Sequence, residues 1–253
     1  MSTQQVDIVT RQFESQLAHY TSEKRGARDS RIVSYLVEAC DTDTLLSGAD
    51  SVRICEFGGA DGLLLAAIRD RLGARVELVN AELVEAFARR QAHASIRFVP
   101  TSILDSAFPA ASFDVVIARH VLHHLVAETF DGTRANQARA FAELARITRP
   151  GGLVLLEEHV NPSALSCRLL YQASRLATLI GLRVPAFEVT PYTVVAFLTP
   201  AQLAGMAGKA SGGALQIVRQ ELLPVPMPIQ WRLTLLRRNS GNLFLACRIA
   251  ASR

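Results

Sequence analysis

The sequence predicts an α/β chain: a mostly parallel sheet with helices on both faces and two antiparallel strands at one edge. Three observations predict it. From residue 52, short apolar runs alternate with amphipathic segments of helical period, the pattern of right-handed βαβ units. The first run, "VRICEF", passes into a bare turn, "GGADG", and then into "LLLAAIRDRL", where an open parallel sheet places its ligands. After residue 198 one short helix and two β-rich runs, "ALQIVRQEL" and "NLFLACRIA", complete the pattern.

The elements follow in order. Residues 1–45 read as a helical cap, with Val6, Val9, Phe13 and Leu17 at helical spacing and "SRIVSYLVEAC" starting after an N-cap-like Ser30. Residues 52–160 hold the alternation: "VRICEF", "LLLAAIRDRL", "RVELVN", a helix "LVEAFARRQA", "IRFVP", "FDVVIA", a helix "RANQARAFAELARI" and "GLVLLEEH". Arg149 ends that last helix, Pro150 prevents its continuation, and Gly151 and Gly152 allow the reversal. His93 falls on an exposed helix face. Residues 162–198 form an insert with a helix, "SALSCRLLYQASRLATLIG", a loop punctuated by Pro185 and Pro191, and the aromatics Tyr171, Phe187, Tyr192 and Phe197. The insert suits a lid over a small apolar molecule; core packing or a dimer interface would use the same residues. Residues 199–253 supply the helix begun by "TPAQL" and the final hairpin. The whole is read as one domain.

Composition narrows the function. With 49% hydrophobic and 20% charged residues the chain is globular, not disordered. Its net charge of +4 is spread, with short basic groups only, so no nucleic-acid partner is expected. Cys40, Cys55, Cys167 and Cys247 are scattered, without a C-x-x-C pair, which suggests neither a zinc site nor a disulfide framework. No apolar signal core and no run of membrane-spanning length occur, and a cytoplasmic protein with no membrane partner is expected.

The bare turn discriminates between ligands. A P-loop needs Lys followed by Ser or Thr where this chain has "GLLL". A dinucleotide fingerprint fails in both registers, requiring glycine at Ala60 and Leu63 or at Asp61 and Leu64. A tight turn that binds nothing remains open on this stretch alone.

"EFGGADG" resembles motif I of the class I S-adenosylmethionine-dependent methyltransferases, with Glu56 as the acid, Gly58 and Gly62 in place and Ala60 at the middle glycine. Further stretches resemble the same family in order: "RVELVNAEL" its second strand, "IRFVPTSILD" its third strand and adenine turn, "SFDVVIARHVLHHL" its fourth strand, and "ELARITRPGGLVLLEEH" its next helix and fifth strand. The last two resemble the small-molecule branch, which includes quinone and natural-product enzymes. The resemblance implies a Rossmann-like seven-stranded sheet and S-adenosylmethionine as cofactor, with S-adenosylhomocysteine as product.

It further implies cofactor contacts at Glu56, Gly58, Gly59, Ala60, Gly62, Asn80, Ala81, Glu82, Ser102, Ile103 and Arg119, with Tyr20 closing over the methionine end. Asn80 stands where the family carries an acid for the ribose, and Glu82 lies two residues on; Ser102 stands where it often carries Asp. His120, His123, His124 and Glu158 fall at the ends of the fourth and fifth strands, where the family places the acceptor. A phenol-like acceptor must lose a proton, and histidine titrates near neutrality. One histidine of "VLHHL" would equally suit a fixed structural hydrogen bond. His120, His124 and Glu128 have helical spacing for a metal, yet lack a second ligand cluster, so no metal is expected. The expected activity is methyl transfer to O or N of a small apolar molecule in secondary metabolism, by a chain whose oligomeric state, a homodimer included, stays open. Cyclisation or rearrangement on the same fold, RNA or protein methylation, and a non-catalytic partner subunit are the alternatives.

Overall fold

The computed structural model describes residues 30–42, 46, 50–184, 194–224 and 240–250. Tyr20, Phe187 and Tyr192 lie outside the described residues. Among them run α1 (Arg31–Thr42), β1 (Val52–Phe57), α2 (Leu63–Leu72), β2 (Val76–Glu82), β3 (Ile96–Pro100), β4 (Phe113–Arg119), α3 (Phe130–Ile147), β5 (Thr148–Val160), α4 (Ala164–Leu179), α5 (Pro200–Ala210), β6 (Leu215–Pro224) and β7 (Gly241–Ile249).

The seven strands make one sheet in the order β3-β2-β1-β4-β5-β7-β6. Strands β3, β2, β1, β4 and β5 pair in parallel, and β7 pairs antiparallel with both β5 and β6. This is the expected seven-stranded, mostly parallel, Rossmann-like sheet with an antiparallel C-terminal pair. Helices cover both faces because alternate strand residues are apolar on both. Ile54, Leu78, Val115, Ile117, Leu153 and Leu155 pack against α1 and α2. Cys55, Phe57, Val116, Ala118, Val154 and Leu156 pack against Ala140, Phe141 and Leu144 of α3 and Leu203 and Ala207 of α5.

Helix ends follow their caps. Ser30 Oγ accepts from Ile32 N at the start of α1, and Thr199 and Gln202 form a reciprocal capping box on α5, with Pro200 inside its first turn. Three local expectations are corrected. The helix read at "LVEAFARRQA" is a six-residue 3-10 turn, Glu85–Arg90, pinned at one end by Glu82, which accepts from Val84 N, and at the other by Gln91, which donates to Phe87 O. His93 follows it in a bend, exposed but not helical. The helix expected to reach Arg149 stops at Ile147, where Thr148 turns extended, donates its hydroxyl to Leu144 O and pairs with Phe113. Pro150, Gly151 and Gly152 then occupy a bulge in β5; Gly151 has φ +75°, and a Cβ on Gly152 would sit 2.7 Å from Asp114 O.

Candidate active site

Strand order reverses between β1 and β4, because β1 leads to β2 on one side while β4 leads to β5 on the other. The crevice outside the carboxyl ends of such strands is the ligand site of an open α/β sheet. Here it lies between the turn 58–62 and the turn 120–124. The two turns touch: a Cβ on Gly58 would lie 2.5 Å from Val121 Cγ2.

The first turn packs three left-handed residues into five positions, Gly58 (φ +67°), Ala60 (φ +51°) and Gly62 (φ +75°). Ala60 bears a strain of about 1–2 kcal/mol for that conformation. Its amide donates to Glu82 Oε2 (3.0 Å), and its carbonyl accepts from Asn80 Nδ2 (2.8 Å) and Gln91 Nε2 (3.1 Å). Asn80 therefore has a reason to be an amide: Asp, an acceptor only, would face the Ala60 carbonyl with no proton to share. Glu82 spends its other oxygen on Val84 N. Both residues brace the turn from the end of β2.

Gly59 tests whether the turn suits a cofactor. A Cβ there would come within 2.5 Å of Asn80 Oδ1 and 2.8 Å of Glu56 Oε2. Bare backbone thus lies beside two buried oxygens, and Asn80 Oδ1 has no hydrogen-bond partner. An acceptor-rich cradle of this kind suits a ligand bearing an ammonium, a sulfonium and ribose hydroxyls. Ala81 and Ile103 are buried alongside, and Ser102 Oγ accepts from Leu104 N in the turn after β3.

Two adjacent acids on β5 divide the far side of the crevice. Consecutive strand residues point to opposite faces. Glu157 faces α1: it accepts from Ser30 Oγ (3.1 Å) and Asn242 Nδ2 (3.3 Å), and lies 3.9 Å from Arg119 Nε and 3.6 Å from His120 Nε2. Glu158 faces α3: Oε2 accepts from Leu122 N (2.7 Å), and Oε1 from His159 N (2.8 Å) and His123 Nδ1 (2.6 Å). Burial pushes the Glu158 carboxyl above the usual carboxylate range, against the lowering influence of His159, of the two amides and of His124.

Four imidazoles line up along these acids. His120, itself left-handed (φ +54°), stacks on His159 at 4.1 Å and 17°. His159 lies 5.5 Å from His123, and His123 4.0 Å from His124. His123 also stacks on Phe197 at 5.5 Å. His123 meets Glu158 Oε1 through Nδ1, so a carboxylate at Glu158 accepts the Nδ1 proton and favours the tautomer in which Nε2 is the basic nitrogen. Among the described residues no group of three His, Cys, Asp or Glu side chains is arranged to hold a metal.

The turn is fixed from behind by Gln137 of α3, fully buried, whose Nε2 donates to Leu122 O (3.0 Å) and Ala196 O (2.9 Å). Ala196 N in turn donates to His123 O (2.9 Å). The sequence reading brought His120, His123, His124 and Glu158 to this crevice edge and Glu56, Gly58, Gly59, Ala60, Gly62, Asn80 and Glu82 to the opposite turn, and the structure places them there. It missed Glu157, Gln91 and Gln137. Period-2 parity in "LLEEH" was the one available signal; for the glutamines there was none.

Residues 55–156 match the family model described as a methyltransferase domain. This segment is a methyltransferase domain of the class I S-adenosylmethionine-dependent type, and the cofactor of such a domain is S-adenosylmethionine. An uncharacterized methyltransferase of Mycobacterium tuberculosis is 31% identical over 115 residues, which cover 44% of this chain and 52% of that protein. The chain thus spans about half the length of the first curated relatives it matches. A demethylmenaquinone methyltransferase of Thermus thermophilus is 28% identical over 183 residues, 68% of this chain and 77% of that one. Among solved structures, the Burkholderia thailandensis 1,6-didemethyltoxoflavin-N1-methyltransferase, with bound 1,6-didemethyltoxoflavin and S-adenosylhomocysteine, superposes with a TM-score of 0.59 at 17% identity, covering 96% of this chain and 88% of that one. At that identity the likeness is one of fold.

Proposed function

We propose that the chain transfers a methyl group from S-adenosylmethionine to an oxygen or nitrogen of a small, largely apolar molecule, as a step of secondary-metabolite biosynthesis in the cytoplasm. The carrying observation is the His123–Glu158 pair, 2.6 Å apart and buried at the strand ends of the switch point. The four unbridged cysteines suit a reducing compartment. A relative named for a quinone precursor and a fold neighbour named for an N-heterocycle support a small acceptor.

The bound cofactor supplies an electrophilic methyl on a sulfonium. Glu56, Gly58, Gly59, Ala60, Gly62, Asn80, Ala81, Glu82, Ser102, Ile103 and Arg119 form its side of the site, Glu56 and Asn80 Oδ1 offering acceptors and Glu82 holding the turn open. Across the crevice, His123 Nε2 takes the acceptor's proton while Glu158 keeps Nδ1–H in place and stabilises the imidazolium. Phe197 excludes water from that ring, and His120, His124 and His159 complete the wall that orients the acceptor.

The test is a panel of phenols, naphthoquinols and N-heterocycles incubated with tritiated S-adenosylmethionine, with products analysed by mass. A product heavier by one methyl in place of hydrogen is the expected result. Consumption of an acceptor to an isomer of unchanged mass, or no product with any acceptor despite calorimetric binding of S-adenosylhomocysteine, overturns the reading.

A further inference from the structure

Helix α4 has two apolar faces. Its inner face buries Cys167, Leu170, Tyr171 and Ala177, and Phe197, which packs on Cys167 and Leu170, is the ring stacked on His123. Its outer face carries Leu165, Leu169, Leu176, Leu179 and Ile180, with relative exposures of 67, 46, 57, 83 and 62%. At 100° per residue these five fall within an arc of roughly 100°. An exposed aliphatic arc on a helix whose opposite face is already buried calls for an occupant.

The charges say which. Arg168 and Arg175 flank one border of the leucine arc, each held over an aromatic ring, Phe130 and Tyr171 respectively, and Arg183 follows the helix end. Residues 161–184 contain no Asp or Glu. Two copies pairing through this face would set arginine against arginine with no acid of the helix between them. A protein partner is ordinarily met by Tyr, Trp, Phe or Met, and this arc is purely aliphatic apart from Gln172. Leucines bordered by arginines suit instead a surface that is anionic outside and hydrocarbon within.

We propose that α4 docks the chain on an anionic lipid bilayer, lying in the surface without crossing it, so that an apolar acceptor dissolved in the bilayer reaches His123 past a single helix. The proposal rests on the reading of an apolar acceptor and departs from the expectation of no membrane partner. It fits the absence, among the described residues, of any helix long and apolar enough to cross a membrane. Only the outer face of α4 meets lipid, while its inner face keeps Phe197 against the imidazole.

The full chain is sedimented with vesicles of phosphatidylcholine alone or of phosphatidylcholine with phosphatidylglycerol, without cofactor or acceptor, so that failure of docking and failure of methyl transfer are read separately. The expected result is at least tenfold stronger binding to the phosphatidylglycerol vesicles, weakened by added salt. Leu169→Glu with Leu176→Glu is expected to lower it at least tenfold while calorimetric binding of S-adenosylhomocysteine is unchanged; Leu165→Ser with Leu176→Ser repeats the test should the acidic pair fail to fold. Equal binding to both vesicle types, no binding, or equal binding by wild type and variants overturns the proposal. So does a wild-type dimer in sedimentation velocity that the same substitutions make monomeric, since the occupant is then a second copy.

Discussion

Replacing Glu158 by Gln tests the proposed proton acceptor directly. Three N–H donors, from Leu122, His159 and His123, converge on the two oxygens of this buried side chain. Glutamine keeps one oxygen and brings an NH2 group to the other position, so at least one donor faces another donor. Leaving a buried group unsatisfied costs about 1–3 kcal/mol of stability. The functional loss is larger: without a carboxylate at Nδ1, His123 no longer holds its proton on that nitrogen, and the base is worth roughly 10²–10⁴ in rate. Single-turnover transfer of tritiated methyl to the best acceptor of the panel is expected to slow by about that factor. Affinity for S-adenosylhomocysteine should hold within about twofold, because Glu158 faces α3 and not the glycine turn. His123→Gln should lose a similar factor, and the double variant little more than either single one, as members of one unit do. A rate for Glu158→Gln within threefold of wild type would refute the base assignment.

Asn80→Asp restores the family's acid yet removes the donor to Ala60 O; we expect weaker binding of S-adenosylhomocysteine by about tenfold or more, a loss of about 1.4 kcal/mol per tenfold, and a tighter complex by calorimetry would contradict the bracing role. Arg31 donates to both oxygens of Glu221 (2.7 and 3.0 Å), and, with Arg219, this holds the Glu221 carboxyl down at about 2. A depressed folded value stabilises above the unfolded carboxylate pKa and loses that contribution as pH falls through the folded one, so the gap in Tm between wild type and Glu221→Gln should be open at neutral pH and close as pH drops to about 2. Burial pushes the Cys167 thiol up to about 11 and Cys247 up to about 12; iodoacetamide at mildly alkaline pH should leave both unlabelled in the folded chain and label both in urea, by mass analysis.

The central elements were legible because each is a contiguous run: the strands "VRICEF" and "IRFVP" and the helix "LLLAAIRDRL" have the same bounds in the structure. What was not legible depends on distant partners. Glu157 takes its role from Ser30 and Asn242, 127 and 85 residues away in sequence, and no local pattern carries that information. Gln91 and Gln137 each donate to two backbone carbonyls, and a glutamine satisfied in this way has the same sequence context as one facing water. The glycine turn was read for its clearance; that Ala60 adopts a left-handed conformation held from three sides only the fold reveals. The cap at Tyr20 and the aromatics Phe187 and Tyr192 fall outside the described residues.

The paired acids of β5 give that strand an uncommon leverage. One side chain answers to the helix that follows the N-terminal segment, the next to the helix that bears Gln137, so a substitution at position 158 retunes the reacting end while leaving the neighbour's contacts alone. An insertion or deletion of a single residue upstream would turn each of the two acids to the opposite face of the sheet, leaving one of the two places to Leu156 or His159. The bulge at Pro150–Gly152 sits at the point where such a shift would be absorbed or transmitted, which ties the shape of a distant turn to the chemistry at the strand's other end.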